Sequence, residues 1–400
     1  MTCWVLGEVK EEIKMTIKFG IIGFGHRGRE FFFDSLLPNK SIEVVMIADS
    51  NPLNLNNLED NRIQTTTDYH EILSNELIEG IFIATPDDTH GEITLAAIRH
   101  NKHIILEKPL EISVDKVVQL EKALGGYQRV FIVAYVLRYA PLFVKAKELV
   151  ESGAIGEVFL INATDHIDYG SYAFFRDWHR LKEKSGSLLL QKASHSLDMI
   201  NWLIDSEPFQ VAGLGGLESF GSPGAIKKFG QPLTEKRYCH SCPIEESCEE
   251  SLLNLKRYKK MEWGKDWPDQ CVFDDEINVQ DHQALLILYK NRAKVTYNLC
   301  QFSAFYRREF QLFGTKGELY FDDESHQIIV SNRQTGKREK YEFGDKLKHS
   351  GGDSEIVAEF VRCVEGYGIS RSSVKSSASV TKLVLAAQEA IDHNKICFIE

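Results

Sequence analysis

Gly23-Phe24-Gly25-His26-Arg27-Gly28 presents G-x-G-x-x-G spacing directly after a β-branched run and at the opening of a helical pattern. Glycines there permit a tight turn and let backbone N–H groups approach a pyrophosphate at the positive end of a helix. Twenty-one residues beyond Gly28, Asp49 closes the second apolar run. A carboxylate at that place accepts both ribose hydroxyls of NAD and repels a 2′-phosphate. Arg27 lies near enough to the adenosine end to meet such a phosphate, so NADP stands second to NAD. The bland alternative is a Gly-rich surface turn with an unrelated aspartate.

A second set of reactive side chains sits mid-chain. Cys239, Cys242 and Cys248 follow C-x2-C-x5-C, and Cys271 comes later. Four thiolates would complete a structural zinc site, ahead of an iron–sulfur cluster, with His240 and His282 as lesser ligands. C-x5-C departs from the usual knuckle, and reduced, separately placed thiols or one disulfide form the rival reading.

These groups need a frame. Residues 17–22, 42–48, 80–84, 103–106 and 130–135 read as buried parallel strands, alternating with helical patterns such as 92–100 and 114–124. That alternation predicts a doubly wound α/β domain, a Rossmann unit over 15–138, with residues 1–14 a frayed extension. Two loops, Ala84-Thr85-Pro86-Asp87-Asp88-Thr89-His90 and Glu107-Lys108-Pro109-Leu110, fall at strand carboxyl ends, where open α/β sheets bind ligands. From about 156 the rhythm changes to long strands and hairpins at 285–299 and 309–321. The expected second domain, 139–400, is α+β on a large, open, mainly antiparallel sheet, with a Cys-rich insertion at about 220–275. One helix interrupts it at 187–203, and helices at 354–365 and 380–393 close the chain.

The bulk properties bound the function. With 58 acidic against 47 basic residues, a net charge of −11 and no basic run, nucleic acid is not expected as a partner. No apolar run is long enough to cross a membrane, and Glu11 and Glu12 sit where a signal peptide needs an apolar core, so a cytoplasmic protein is expected. The open face of a large sheet should be covered by a second copy, in a homodimer or homotetramer.

The order of nucleotide loop, T-P-x-x-x-H, E-K-P and sheet domain resembles the Gfo/Idh/MocA family of sugar and cyclitol oxidoreductases. The resemblance covers nearly the whole chain from residue 15. It implies that Thr85, Pro86, His90, Glu107 and Lys108 border the cofactor, with Lys108 beside the nicotinamide and the reacting carbinol. An ammonium there can hydrogen-bond the developing alkoxide. Tyr135-Val136-Leu137-Arg138-Tyr139-Ala140-Pro141 is similar to the family segment joining the domains, whose arginine, here Arg138, lies near the cofactor. Gly314-Thr315-Lys316-Gly317-Glu318 resembles a late hairpin and is structural.

The resemblance also implies a catalytic helix beginning D-x-G-x-H. Here the segment reads Gln191-Lys192-Ala193-Ser194-His195. His195 matches the histidine, Gln191 replaces the aspartate, and Lys192 resembles a K-A-[ST]-H subgroup. A neutral amide cannot raise the histidine's proton affinity as a carboxylate would, so His195 beside Lys108 is expected neutral and suited to general base catalysis. Gln191 and Lys192 are expected to orient substrate. Upstream, Trp178, His179 and Arg180 lie in an aromatic, polar stretch suited to a polyhydroxylated ring. The reaction expected is hydride transfer between NAD and a hydroxyl carbon of a sugar, sugar derivative or cyclitol. An NAD-retaining, redox-cycling glycosidase or lyase is the alternative, and a non-enzymatic NAD sensor is the third reading.

Overall fold

With Lys18 the exception, every residue of Ile17–Ile22 (β1) is buried, which demands cover on both faces of the strand. Gly80–Ile83 (β4) and His103–Leu106 (β5) are buried throughout, while Ile42–Ala48 (β2) is buried at its carboxyl end. With Gln64–Thr66 (β3) and Phe131–Val133 (β6) they form a sheet of order β3-β2-β1-β4-β5-β6. Every pairing in it is parallel. Helices Val114–Leu124 and His90–Arg99 lie where their helical spacing predicts, and the order reverses between β2-β1 and β4-β5, leaving a crevice at the strand carboxyl ends. The computed structural model describes residues 16–56, 58, 60–259, 267–344 and 351–399, so the expected extension at 1–14 lies outside the described residues.

The second sheet runs Arg338–Glu342 (β14), Gln327–Asn332 (β13), Gly317–Asp322 (β12), Arg307–Gly314 (β11), Val158–His166 (β7), Lys294–Cys300 (β10), His282–Tyr289 (β9), Pro208–Gly216 (β8) and Cys397–Phe398 (β15). β10 pairs with β7 in parallel and the other neighbours are antiparallel. Period-two alternation turns Phe310, Leu312 and Tyr297 inward, where Phe310 stacks on Phe321 at 4.8 Å and Phe143 of the Pro141–Glu151 helix meets Phe321 edge-on. The outward face leaves Leu286 and Leu214 62% and 70% exposed.

Two details depart from the expected layout. The interrupting helix starts as a π turn, Leu189–Ala193, before the regular Ser194–Ile204 helix. The Gly352–Val364 helix, expected with the second domain, packs on the first: Phe360 meets Phe19 edge-on at 5.5 Å, and Asp353 bonds Arg27. Beyond it, Ser372 donates to the Val133 carbonyl at 2.7 Å and the Val374–His393 helix runs on against β8 and Val114–Leu124. These contacts carry the closing helices of the chain back onto the first sheet.

Candidate active site

β1 ends in the glycine loop, and steric space explains each glycine's place. A Cβ on Gly23, whose φ is +93°, would lie 2.5 Å from the Ala84 carbonyl oxygen, and one on Gly28 would lie 2.1 Å from that of Gly23. A Cβ on Gly25 would meet nothing within 4 Å, which leaves the mouth of the His26–Phe31 helix open to a ligand. Asp49, at the end of β2, accepts from the Phe24 N–H at 2.6 Å and the Asn51 N–H at 2.8 Å, so its carboxylate borders the loop. This chemistry fits a dinucleotide: open backbone at a helix start and an acid beside it. Arg27 is turned away from a phosphate role by Glu107 at 2.6 Å and Asp353 at 2.6 Å. His26 points elsewhere, edge-on to Trp267 at 5.6 Å.

The loops after β4 and β5 are clamped together by His90. Its Nδ1 lies 2.7 Å from the Pro109 carbonyl oxygen and its Nε2 2.9 Å from that of Thr85, and burial lowers its proton affinity. Thr85 and Pro86 are fastened in turn by the Thr89 hydroxyl. Glu107 accepts from Arg27 and from the Lys108 N–H. Lys108 then crosses to the second domain, donating through Nζ to the Gln191 carbonyl at 2.6 Å and to Gln191 Oε1. Burial, opposed by Asp87 and Glu107, draws the Lys108 ammonium below its ordinary range.

The π turn presents Gln191 and Lys192, 6% and 7% exposed, on the inner side of the helix just before His195. Lys192 donates to the Tyr169 hydroxyl at 2.6 Å and lies over the Tyr169 and Tyr306 rings. Burial, then Arg308, lowers it to about 7, against the pull of Asp165 and Asp323. Those two acids are engaged below: Asp165 takes Ser196, Tyr297 and Arg308, and Asp323 takes Tyr306. His195 sits edge-on to Tyr135, ring centroids 6.3 Å apart.

Of the three expected substrate residues, His179 and Trp178 stack on each other at 3.8 Å. Burial, then nearby Lys108, drops His179 to about 3, so it is neutral, and among the described residues its Nδ1 has no hydrogen-bond partner. Arg180 turns toward the insertion. It is buried against Asp274 at 3.2 Å, Glu276 and the Cys271 carbonyl, because the insertion supplies acids that pair its charge. Arg138 is bound by Asp198 at 2.7 and 2.8 Å and by the Arg371 carbonyl, which ties the domain joint to the Ser194–Ile204 helix.

Residues 17–135 match the family model described as "Oxidoreductase family, NAD-binding Rossmann fold", and residues 143–320 match the GFO/IDH/MocA C-terminal domain. The chain belongs to the Gfo/Idh/MocA oxidoreductase family. Among its relatives, Bacillus subtilis (strain 168) YteT is 27% identical over 254 residues, 60% of this chain and 59% of YteT. An inositol 2-dehydrogenase of Rubrobacter xylanophilus is 28% identical over 204 residues, 49% of this chain and 54% of that protein. The chain thus spans less than two thirds of either relative's length. A levoglucosan dehydrogenase structure in complex with NADH shares the fold at TM-score 0.74 and 19% identity, covering 96% of this chain and all of that one (100%).

Within the Gfo/Idh/MocA frame the cysteine insertion is a separate matter. Cys239, Cys242, Cys248 and Cys271 line one small cavity with Arg176 and Arg237, and all four are free. The zinc or iron–sulfur site expected from their spacing is not supported, since among the described residues no three His, Cys, Asp or Glu side chains are placed to hold a metal ion. Burial keeps Cys271 protonated, up to about 11, and the Arg176 guanidinium donates to Cys239 Sγ at 3.3 Å. The insertion is tied to its surroundings by other contacts. Arg176 also donates to the Gln270 and Glu250 carbonyls, and Trp267 stacks on Tyr172 at 4.3 Å while touching His26 of the glycine loop. Sequence reasoning missed Asp87, Tyr169 and Tyr306; a tyrosine nine residues before Trp178 carried no local signal for Lys192.

Proposed function

We propose that this family member is an NAD-dependent oxidoreductase acting on a secondary hydroxyl of a sugar, sugar derivative or cyclitol. The observation that carries the reading is the meeting of Lys108, from the nucleotide domain, with the Gln191 turn that leads into His195. On this reading Lys108 borders the substrate hydroxyl from the nucleotide domain and His195, four residues beyond Gln191, borders it from the helix. NAD, when bound, supplies the hydride acceptor. Gly23, Gly25, Gly28 and Asp49 would hold it, and paired Arg27 favours NAD over NADP. An ammonium has a further N–H to offer beyond Gln191, and Lys108 directs it at the hydroxyl oxygen. His195 takes the hydroxyl proton as general base. Neutral His179, stacked on Trp178, and Lys192 with Tyr169 bind and orient the ring's other hydroxyls.

The test is absorbance at 340 nm with NAD and a panel of cyclitols and sugars. His195→Ala should lower turnover by about 10² to 10⁴ on whichever substrate responds. Full activity in that variant removes His195 from the role. Turnover without net NADH, the cofactor staying bound, identifies the redox-cycling lyase or glycosidase instead, to which the neutral Gln191 lends support. Tight NAD binding with no turnover on alcohols or glycosides identifies a sensor.

Among the described residues no helix is long and apolar enough to cross a membrane. The free thiols favour a reducing, cytoplasmic setting. Leu214, Leu286, Phe159 and Phe209 on the outer side of the large sheet favour a homodimer or homotetramer, which sedimentation at a monomer's mass would refute.

A further inference from the structure

Asp87 takes no part in the chemistry outlined above, and it is only 3% exposed. Among the described residues no lysine or arginine forms a salt bridge with it; its side-chain partner is the Gln191 amide, whose Nε2 donates at 2.8 Å. Burying an ionised carboxylate without a counter-charge is costly. A counter-charge lies on the far side of the same amide, where Lys108 Nζ donates to Gln191 Oε1. A primary amide has one accepting end and one donating end. With Nε2 turned to the carboxylate, Oε1 must face the ammonium, and a half-turn of the amide would make both contacts repulsive.

We infer that Asp87 is the positioning carboxylate of this site: through the oriented Gln191 amide it keeps Lys108 charged and aimed into the crevice. The inference rests on the reading of Lys108 as donor to the substrate oxygen. Burial pushes Asp87 above the ordinary carboxylate range and Lys108 below the ordinary lysine range, and each draws the other back. Glu107 also favours the Lys108 proton, whereas Lys192 and Arg27 oppose it. Asp87 itself faces Glu107, Asp88 and Glu111, which favour its protonation. His90 and His179 also face Lys108, and burial depresses the proton affinity of both rings.

Competitive labelling of Lys108 with acetic anhydride across pH, read by peptide mass spectrometry on the full chain without substrate, gives the midpoint at which the lysine loses its proton. Asp87→Asn should lower that midpoint by about one pH unit, the effect of removing one nearby opposite charge. The double variant Asp87→Asn/Gln191→Asp, which returns a carboxylate beside the lysine from the helix side, should restore it. Gln191→Asp alone should raise it, which keeps the test open if Asp87→Asn does not fold. On a responding substrate, the alkaline limb of kcat/KM should move with the midpoint while the acid limb stays. A folded Asp87→Asn whose midpoint stays within about 0.3 of wild type, or a double variant that fails to restore it, overturns the inference. A shifted midpoint in a protein that oxidises no alcohol leaves Asp87 in place and overturns the functional reading alone.

Discussion

Replacing Lys192 by methionine, of similar length and without charge, should stabilise the protein at low pH while disabling its site. The folded chain holds the Lys192 proton with an affinity lowered from 10.5 to about 7. At roughly 1.4 kcal/mol per pH unit, that difference amounts to about 5 kcal/mol of folding free energy. Between about pH 7 and 10.5 the unfolded chain keeps a proton that the folded chain has shed, so this lysine's contribution improves as pH rises. Below about 7 both states are protonated and the full penalty stands. Methionine abolishes the penalty but forfeits the Tyr169 hydrogen bond, worth about 1.5 to 3 kcal/mol while the amine is charged and about 1 kcal/mol once it is neutral. The expected difference, Lys192→Met minus wild type, is therefore about +2.5 kcal/mol at pH 6 and close to zero near pH 10. Urea unfolding at the two pH values, with slopes compared to verify one transition, measures both numbers. If the difference changes by less than about 1 kcal/mol between them, Lys192 is not a buried lysine of depressed proton affinity, and the account of its environment is wrong.

Asp49→Ala should weaken NAD binding by about 10-fold or more in calorimetric titration while narrowing the preference over NADP, because charged hydrogen bonds of about 1.5 to 3 kcal/mol are lost; an unchanged NAD affinity would place the ribose elsewhere. Arg180→Met leaves Asp274 buried without its cation and should cost about 3 to 5 kcal/mol, seen as a lowered thermal midpoint with faster hydrogen exchange in the insertion. A rise in KM without loss of stability would instead return Arg180 to the substrate pocket.

The local pattern was legible to the residue in several places: β1, β2 and β5 and the Val114–Leu124 helix begin and end where apolar runs and helical spacing put them. Those elements are defined by neighbours in sequence. The site is defined by partners far apart, and there the reading thinned. Lys108 and Gln191 are 83 residues apart, and Asp87 and Gln191 104. Arg180 among aromatics reads the same whether it faces a sugar or an acid delivered 94 residues later. The four spaced cysteines line one cavity, yet spacing says nothing of where each sulfur points. The π turn at Leu189–Ala193 has the composition of an ordinary helix, so its change of phase was invisible.

The bond from Arg27 to Asp353 joins groups 326 residues apart. At about 5 to 20 residues per second, a ribosome delivers the acid on the order of tens of seconds after the arginine. The nucleotide loop is thus joined by a segment made long after it, and the nascent Rossmann sheet waits meanwhile with Phe19 uncovered by Phe360. The first sheet's core is closed only after most strands of the second sheet have been made.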